Sequence, residues 1–151
     1  MDINSYITGF VDGEGCFSVS FNFRSKLTTG IEVRPSFSVA QKKYSLNILQ
    51  RIQDHFQCGS IRYSKSDGVY KYEVRSISDL VKKIIPHFEK YNLLTAKQND
   101  FLLFSKACSM IHSNLHMNKE SLKDLIELAY AMNQSGSRRN SKQDLLKHLM
   151  R

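Results

Sequence analysis

The spacing of apolar residues changes several times along the chain, and each change predicts an element. Ile3, Ile7, Phe10 and Val11 share one face of a helix over residues 3–12, which Gly13 and Gly15 should then break. From 16 to 24 the period drops to two: Phe17, Val19, Phe21 and Phe23 alternate with Ser18, Ser20, Asn22 and Arg24. Over 31–39, Ile31, Val33, Phe37 and Val39 alternate with Glu32, Arg34, Ser36 and Ser38. Such alternation predicts strands with one covered and one open face, connected through residues 25–30. Helical spacing returns over 44–56, with Leu49, Ile52 and Phe56 on one side. A second strand pair, 58–65 and 69–76, flanks the turn signal Ser66-Asp67-Gly68. There Ile61, Tyr63, Tyr70, Tyr72 and Val74 oppose Ser60, Arg62, Ser64, Lys71, Glu73 and Arg75.

The remaining pattern is helical. Ser78 is placed to cap a helix to about residue 90, kinked by Pro86. Thr95 and Gln98 have capping-box spacing for a helix to about 111. Asn118 suits the start of a further helix, and Ser141 the start of a last basic one after a break at Gly136-Ser137. The expected fold is therefore α+β. An αββαββα core forms a four-stranded antiparallel saddle sheet, covered by helices on one face and followed by C-terminal helices. Residues 1–134 read as one domain and 135–151 as a basic tail or helix.

Charge sharpens the picture. The 151 residues carry a net charge of +8, distributed as −3 over residues 1–23, +6 over 24–75, +1 over 76–134 and +4 over 135–151. A basic middle and tail suggest a polyanionic partner; a solvated basic surface with no specific partner is the other reading. The open sheet face would present Ser18, Ser20, Asn22, Arg24, Glu32, Arg34, Ser36, Ser38, Arg62, Ser64, Lys71, Glu73 and Arg75. Short polar side chains and Arg are the types that read base edges in a major groove. Three scattered cysteines suit neither a disulfide framework nor a zinc site, so a reducing compartment is expected. No apolar run reaches membrane-spanning length, and neither a secretory signal nor a transit peptide is expected.

The segment Gly9-Phe-Val-Asp12-Gly13-Glu14-Gly15 ends the first helix with two acids. A helix C-terminus carries about half a negative charge, so carboxylates there are repelled. A divalent cation reverses that repulsion, and Glu14 with free helix carbonyls offers hard oxygen ligands. One carboxylate makes a poor all-protein cage but a sufficient site if phosphate oxygens and water complete it. A plain polar turn is the alternative for this tetrapeptide taken alone. Gly9 and Gly13 lie four apart on one helix face and would let a second backbone approach. Two such helices packed together bring two Glu14 side chains close, an arrangement suited to two-metal phosphodiester hydrolysis.

Ile7-Thr8-Gly9-Phe10-Val11-Asp12-Gly13-Glu14-Gly15 resembles the motif of the LAGLIDADG homing endonucleases, with Ile for the first Leu, Thr for Ala and Glu for the second Asp. Cys16-Phe17-Ser18-Val19, Ser38-Val39-Ala40-Gln41-Lys42 and Leu93-Leu94-Thr95-Ala96-Lys97-Gln98 are similar to further stretches of that family. The resemblance implies DNA cleavage by a saddle sheet lying in the major groove, with Mg²⁺ or another divalent cation such as Mn²⁺. It implies Glu14 as metal-binding acid, the Gly13 carbonyl as a second ligand and Asp12 as mainly structural. Gln41 corresponds to a polar group that positions water or metal, and Lys97 to a lysine that stabilises phosphate charge, with Thr95 the alternative register.

Only one motif is present, and single-motif members of the family pair. A homodimer is therefore expected, joined through Ile7, Gly9, Phe10 and Gly13 and acting on a near-palindromic double-stranded target. A strand of about 28 Å spans on the order of eight base pairs, and two subunits roughly twenty. Arg138, Arg139 and Lys142 are expected to touch phosphate. The competing reading is a nucleic-acid binder that does not cut, such as an intron maturase acting on RNA.

Overall fold

The computed structural model of the chain describes residues 1–133 and 138–151, so the expected break at Gly136-Ser137 lies outside the described residues. Helix α1 (Ile3–Glu14) is capped by Asp2, whose carboxylate accepts hydrogen bonds from the Asn4 amide and the Ser5 hydroxyl. It does not break at Gly13 as the glycine spacing suggested. It runs through Glu14 and passes without a loop into strand β1 (Gly15–Phe23). The residue that needs to be glycine for this junction is Gly15. A Cβ there would lie 2.6 Å from Val11 Cγ1 and 2.9 Å from the Val11 carbonyl oxygen.

Strands β1, β2 (Ile31–Gln41), β3 (Ser60–Ser64) and β4 (Val69–Val74) form one antiparallel sheet in the order β1-β2-β4-β3. The second hairpin is shorter than the alternation predicted, because Ser76 leaves the sheet to cap the next helix. Conversely, β2 runs two residues further, since Ala40 and Gln41 find partners in Lys71 and Tyr70. Pro35 sits inside β2 opposite Val19. Val19 turns its carbonyl outward, away from β2, and β4 ends at Val74 opposite Phe37, so the missing Pro35 N–H leaves no ladder bond unmade.

The apolar face of the sheet carries the core. Phe17 is fully buried among Phe37, Phe88, Phe101 and Phe104, with ring centroids 5.3–5.4 Å away. Helix α2 (Leu46–Phe56) contributes Leu49, Ile52 and Phe56. A helical run from 77 to 90 covers the same face in three parts: α3 (Ile77–Asp79), a π turn (Leu80–Ile84) and α4 (Ile85–Lys90). Its cap is Ser76, not Ser78: the Ser76 hydroxyl accepts the Asp79 amide. The π turn lies directly before Pro86, in the turn where a proline cannot supply an α-helical hydrogen bond. Helix α5 (Lys97–His112) places Phe101, Phe104 and Cys108 in the core. Helix α6 (Lys119–Tyr130) begins at Asn118, whose side chain accepts from Glu120 and Ser121 as its type predicted.

Helix α7 (Lys142–Leu149) is capped by Ser141 and buries Leu145 and Leu149 in the same core. Asn133 and residues 138–140 lie along β1, one edge of the sheet. Asn133, Arg138 and Asn140 donate in turn to the carbonyls of Phe17, Val19 and Phe21 at 2.6, 2.7 and 2.9 Å. Arg138 also donates to the Ala129 carbonyl and stacks on the Tyr130 ring.

One buried polar pair makes the fold sensitive to acid. The Thr8 hydroxyl donates to the Tyr91 carbonyl, so it accepts from His87 Nε2, 3.0 Å away, which makes the neutral imidazole the Nε2–H tautomer. Burial, reinforced by the neighbouring His55, pushes His87 down to about 4, against a small opposing pull from Asp2. Below its ordinary value of 6.5 the unfolded chain takes up a proton that the folded chain refuses. Stability should therefore be constant above pH 6.5 and fall as pH drops from there toward 4, by up to about 3 kcal/mol from this group. Urea unfolding at pH 7.5, 6 and 5 checks this. His87→Gln should be less stable at pH 7.5 yet lose less between 7.5 and 5 than the unaltered chain.

Candidate functional site

The sequence posed two acids at the repulsive end of α1, and the structure separates their roles. Asp12 binds backbone. Its carboxylate accepts from the Leu94 amide at 2.7 Å, from the Thr95 amide at 3.2 Å and from the Thr95 hydroxyl. Partial burial opposes its ionisation. The Thr95 hydroxyl, the two amides and the nearby Lys97 charge together outweigh that and hold Asp12 below the usual carboxylate range. This also removes the expected Thr95–Gln98 capping box. Thr95 N–H is taken by Asp12, and the Gln98 side chain instead accepts from the Leu93 amide.

Glu14 is different. It is exposed, and among the described residues it makes no hydrogen bond or ion pair. Lys97 lies against the same helix end, where its ammonium donates to the Val11 carbonyl at 2.9 Å. Lys97 is therefore the lysine at this end of α1, while Thr95 is engaged by Asp12. Its charge, with that of Lys71, reaches Cys16 just beyond Glu14, where both oppose the upward push of burial on the thiol. Gln41 comes from the other side. Gly15 pairs with Val39, so continuing the same register carries Gln41 past the start of β1 toward the last turn of α1. It is half-buried and shares a cleft with Ile3, Tyr6, Phe10 and Arg51. The structure thus brings Lys97 to the Glu14 end of α1, while Gln41, at the end of β2, lies along the side of that helix that carries Ile3, Tyr6 and Phe10.

A metal would find only part of its shell here. Among the described residues no group of three or more His, Cys, Asp or Glu could hold an ion. Glu14 with the adjoining helix carbonyls, including that of Gly13, fits a cation whose remaining ligands come from elsewhere. Asp12 does not, since its oxygens already serve Leu94 and Thr95.

The outer face of α1 is also distinctive. A Cβ built on Gly9 or on Gly13 meets nothing within 4 Å, and Tyr6 beside them is largely exposed and stacks on Phe10. Ile7, expected at the same contact, is fully buried in the protomer's own core. Its spacing matched the inner face, shared with Val11, so the outer stripe comprises exposed Tyr6, Gly9 and Gly13 with a half-buried Phe10, without it.

On the open sheet face the expected residues divide by depth. Ser20, Arg24, Arg34 and Arg62 are exposed, and Ser18, Asn22, Glu32, Ser64 and Lys71 partly so. Arg75 is exposed but lies just beyond the end of β4. Ser36, Ser38 and Glu73 are buried, and this corrects their reading as direct contacts. Neighbouring long side chains cover them where the inner strands β2 and β4 meet. Glu73 accepts from the Ser36 hydroxyl and from the Arg62 guanidinium.

The C-terminal cations are corrected too. Arg138 is spent on the Val19 and Ala129 carbonyls, where burial lowers its pKa below the ordinary Arg value, and Lys142 pairs with Glu127 at 2.8 Å. Only Arg139 of the three is exposed, along a cleft shared with Cys16, Ser18, Ser20 and Asn22. Neither the β1-edge bonds nor the Asp12 tie was read from the sequence. Asn133 and Asn140, flanking Arg138, are the residue types that could have signalled the former.

The comparisons with known proteins agree with this geometry. The family model described as LAGLIDADG endonuclease matches residues 7–108. A Neurospora crassa protein named probable intron-encoded endonuclease 2 is 33% identical over 130 residues, which is 85% of this chain and 29% of that protein. The chain thus spans less than a third of the length of that relative. Among solved structures, the homing endonuclease I-TnaI is 34% identical with a TM-score of 0.85, covering 99% of this chain and 98% of that one. The archaeal intron-encoded homing endonuclease I-Vdi141I, complexed with DNA, is 30% identical with a TM-score of 0.89, covering 97% and 94%. With its diagnostic segment forming α1 and its sheet in the same arrangement, this chain belongs to the LAGLIDADG endonuclease family.

Proposed function

We propose that the chain is a sequence-specific double-strand DNA endonuclease that works as a homodimer on a near-palindromic target, in the manner of intron homing. The observation that carries this reading is the unpartnered Glu14 carboxylate at the helix end that Lys97 also reaches, at the rim of a polar, Arg-bearing sheet. A solvent-exposed acid at a helix C-terminus serves no purpose in holding the fold, and it repels phosphate unless a cation lies between them. Glu14 and the Gly13 carbonyl would hold a divalent ion, Mg²⁺ or Mn²⁺, which would supply Lewis acidity toward the scissile phosphate. Lys97 places positive charge where a phosphorane gathers negative charge. The Gln41 amide both donates and accepts, which suits it to orient a water molecule. Near-complete coverage of the two solved single-motif-sized chains supports pairing of two copies through the glycine stripe of α1. The exposed polar side chains of β1–β4 then read each half-site, with Arg139 at the flank.

Separate variants distinguish the two acids. Glu14→Gln should lower cleavage of a plasmid substrate in Mg²⁺ at least a hundred-fold while leaving target binding nearly intact; residual cutting above a few per cent removes Glu14 from the mechanism. Asp12→Ala should reduce stability by about 2 kcal/mol in metal-free buffer, because three donors lose a charged acceptor. Denaturant unfolding in EDTA measures that loss, and an unchanged midpoint would make Asp12 a metal ligand instead. If the unaltered protein binds its target but never cuts it in either metal, the maturase-like alternative replaces this reading.

Assembly gives a test with opposite signs. Gly9→Leu should raise the melting temperature of the protomer, since a helix interior favours Leu over Gly by about 0.8 kcal/mol and the space is open. The same change should weaken the dimer by wedging two helices apart. Sedimentation velocity with and without target DNA checks it, and an unaltered chain that is monomeric in both refutes the dimer.

A further inference from the structure

The open face of the sheet carries two acids, Glu32 and Glu73, on a surface whose other charges are basic. Each pairs with two cations, one along its own strand and one across the hairpin. Glu32 pairs with Arg34, two residues along its own strand, at 2.8 Å, and with Arg24, just beyond the end of β1, at 3.5 Å. Arg24 is two residues beyond the register partner of Glu32, Asn22. Glu73 lies 3.9 Å from Lys71, two residues along its own strand, and bonds Arg62 on β3. Arg62 is again two residues beyond the register partner of the acid, Ser60. One acid thus faces a same-strand base and a diagonal cross-strand base in both hairpins.

The Glu73 cluster is the more constrained. Its carboxylate is 8% exposed and sits on an inner strand, with Oε1 taken by Arg62 and Oε2 by the Ser36 hydroxyl and Lys71. Both carboxylate oxygens are thus engaged by neighbours on the sheet. The Arg62 side chain, by contrast, is 56% exposed. A guanidinium has five donors in a rigid plane, and binding one nitrogen to Glu73 leaves the far edge directed away from the sheet. Arg62 also stands opposite Lys71 in the ladder, a like-charge pair that would drive the two side chains apart without an acid between them.

We propose that Glu73 is a positioning residue for sequence recognition: buried beneath the reading surface and braced by Ser36, it holds the Arg62 guanidinium in a fixed direction so that its outer edge reads one guanine-bearing position in each half-site. Base specificity at that position then depends on an acid that never touches DNA. The inference rests on the sheet face being the reading surface.

The test is selection of bound targets from a randomised DNA pool, a readout of binding and not of cutting. It uses the full chain, unaltered and as Arg62→Ala, Glu73→Gln and Arg62→Lys. Arg62→Ala should lose about ten-fold of its discrimination at one position of each half-site. Glu73→Gln should relax preference at that same position and at no other, while binding to unrelated DNA stays equal or rises because a negative charge has left the surface. A further variant that combines Arg62→Ala with Glu73→Gln should be no more relaxed there than Arg62→Ala alone. Arg62→Lys retains the charge without the fork and should match Glu73→Gln, which provides the same test should Glu73→Gln fail to fold. Glu73 as a merely structural ion pair predicts uniform weakening with every base preference intact, and that result overturns the proposal. So does an Arg62→Lys variant with unaltered preference. An unaltered protein that selects no sequence refutes the endonuclease reading itself and this inference with it. A selective protein indifferent to Arg62 and Glu73 refutes only the latter.

Discussion

The tie between Asp12 and the backbone at Leu94 and Thr95 is the constraint on which the rest of the site depends. It joins the end of the first helix to a segment 82 residues later, and it does so with a charge-assisted bond to amides that precede α5. Because α1 runs straight into β1, fixing that end also fixes where the sheet begins. The position of Glu14 follows, two residues on, and Lys97 follows from the other partner, since α5 starts two residues after Thr95. A carboxylate placed against an unfavourable helix dipole is stable here because the amides it meets are directed at it. The neighbouring carboxylate has no such partner among the described residues, and that asymmetry is the ground for proposing different roles for the two acids.

The sheet resolves a related conflict on a larger scale. A face meant to meet a polyanion must be basic, yet several cations on adjacent strands repel one another when the partner is absent. Interposed acids at Glu32 and Glu73 relieve that repulsion in each hairpin. Ion pairs this exposed on their basic side contribute little to folding. Their effect is on direction: an arginine bound at one nitrogen samples fewer orientations than a free one.

How much was legible in the sequence follows from the range of the interactions involved. Period-two alternation marked all four strands and the covered face, because that pattern is local and each strand has one wet side. Asn118 and Ser141 were readable as caps because a cap bonds within three residues. What was missed is non-local. Thr95 and Gln98 have capping-box spacing, but Asp12 competes for Thr95 from across the chain. Ile7 fits the dimer stripe by sequence, and only the packing of α1 on the sheet turns it inward. Ser36, Ser38 and Glu73 alternate with apolar residues as open-face positions should, and alternation says which face a residue occupies without saying how deeply it lies there. Ser78 lost its expected role to Ser76 because β4 ends early. Arg138 looked like a free cation because its acceptors, the carbonyls of Val19 and Ala129, carry no side-chain signature.

Those carbonyl bonds bear on how such a sheet stays separate from others of its kind. An edge strand with unpaired carbonyls is a template for a foreign strand, and β1 is both an edge and part of the surface kept open for a ligand. A further strand added by the chain would close the edge but widen and re-curve the sheet. Asn133, Arg138 and Asn140 instead saturate alternate carbonyls with side chains, leaving the width at four strands. The stretch from Arg138 onward, which composition alone marks as an arm for nucleic acid, is thereby a guard against fibrillar association. Shortening the chain after α6 would expose a bare β-edge, and the outcome to anticipate is insolubility, well before any weakening toward DNA could be measured.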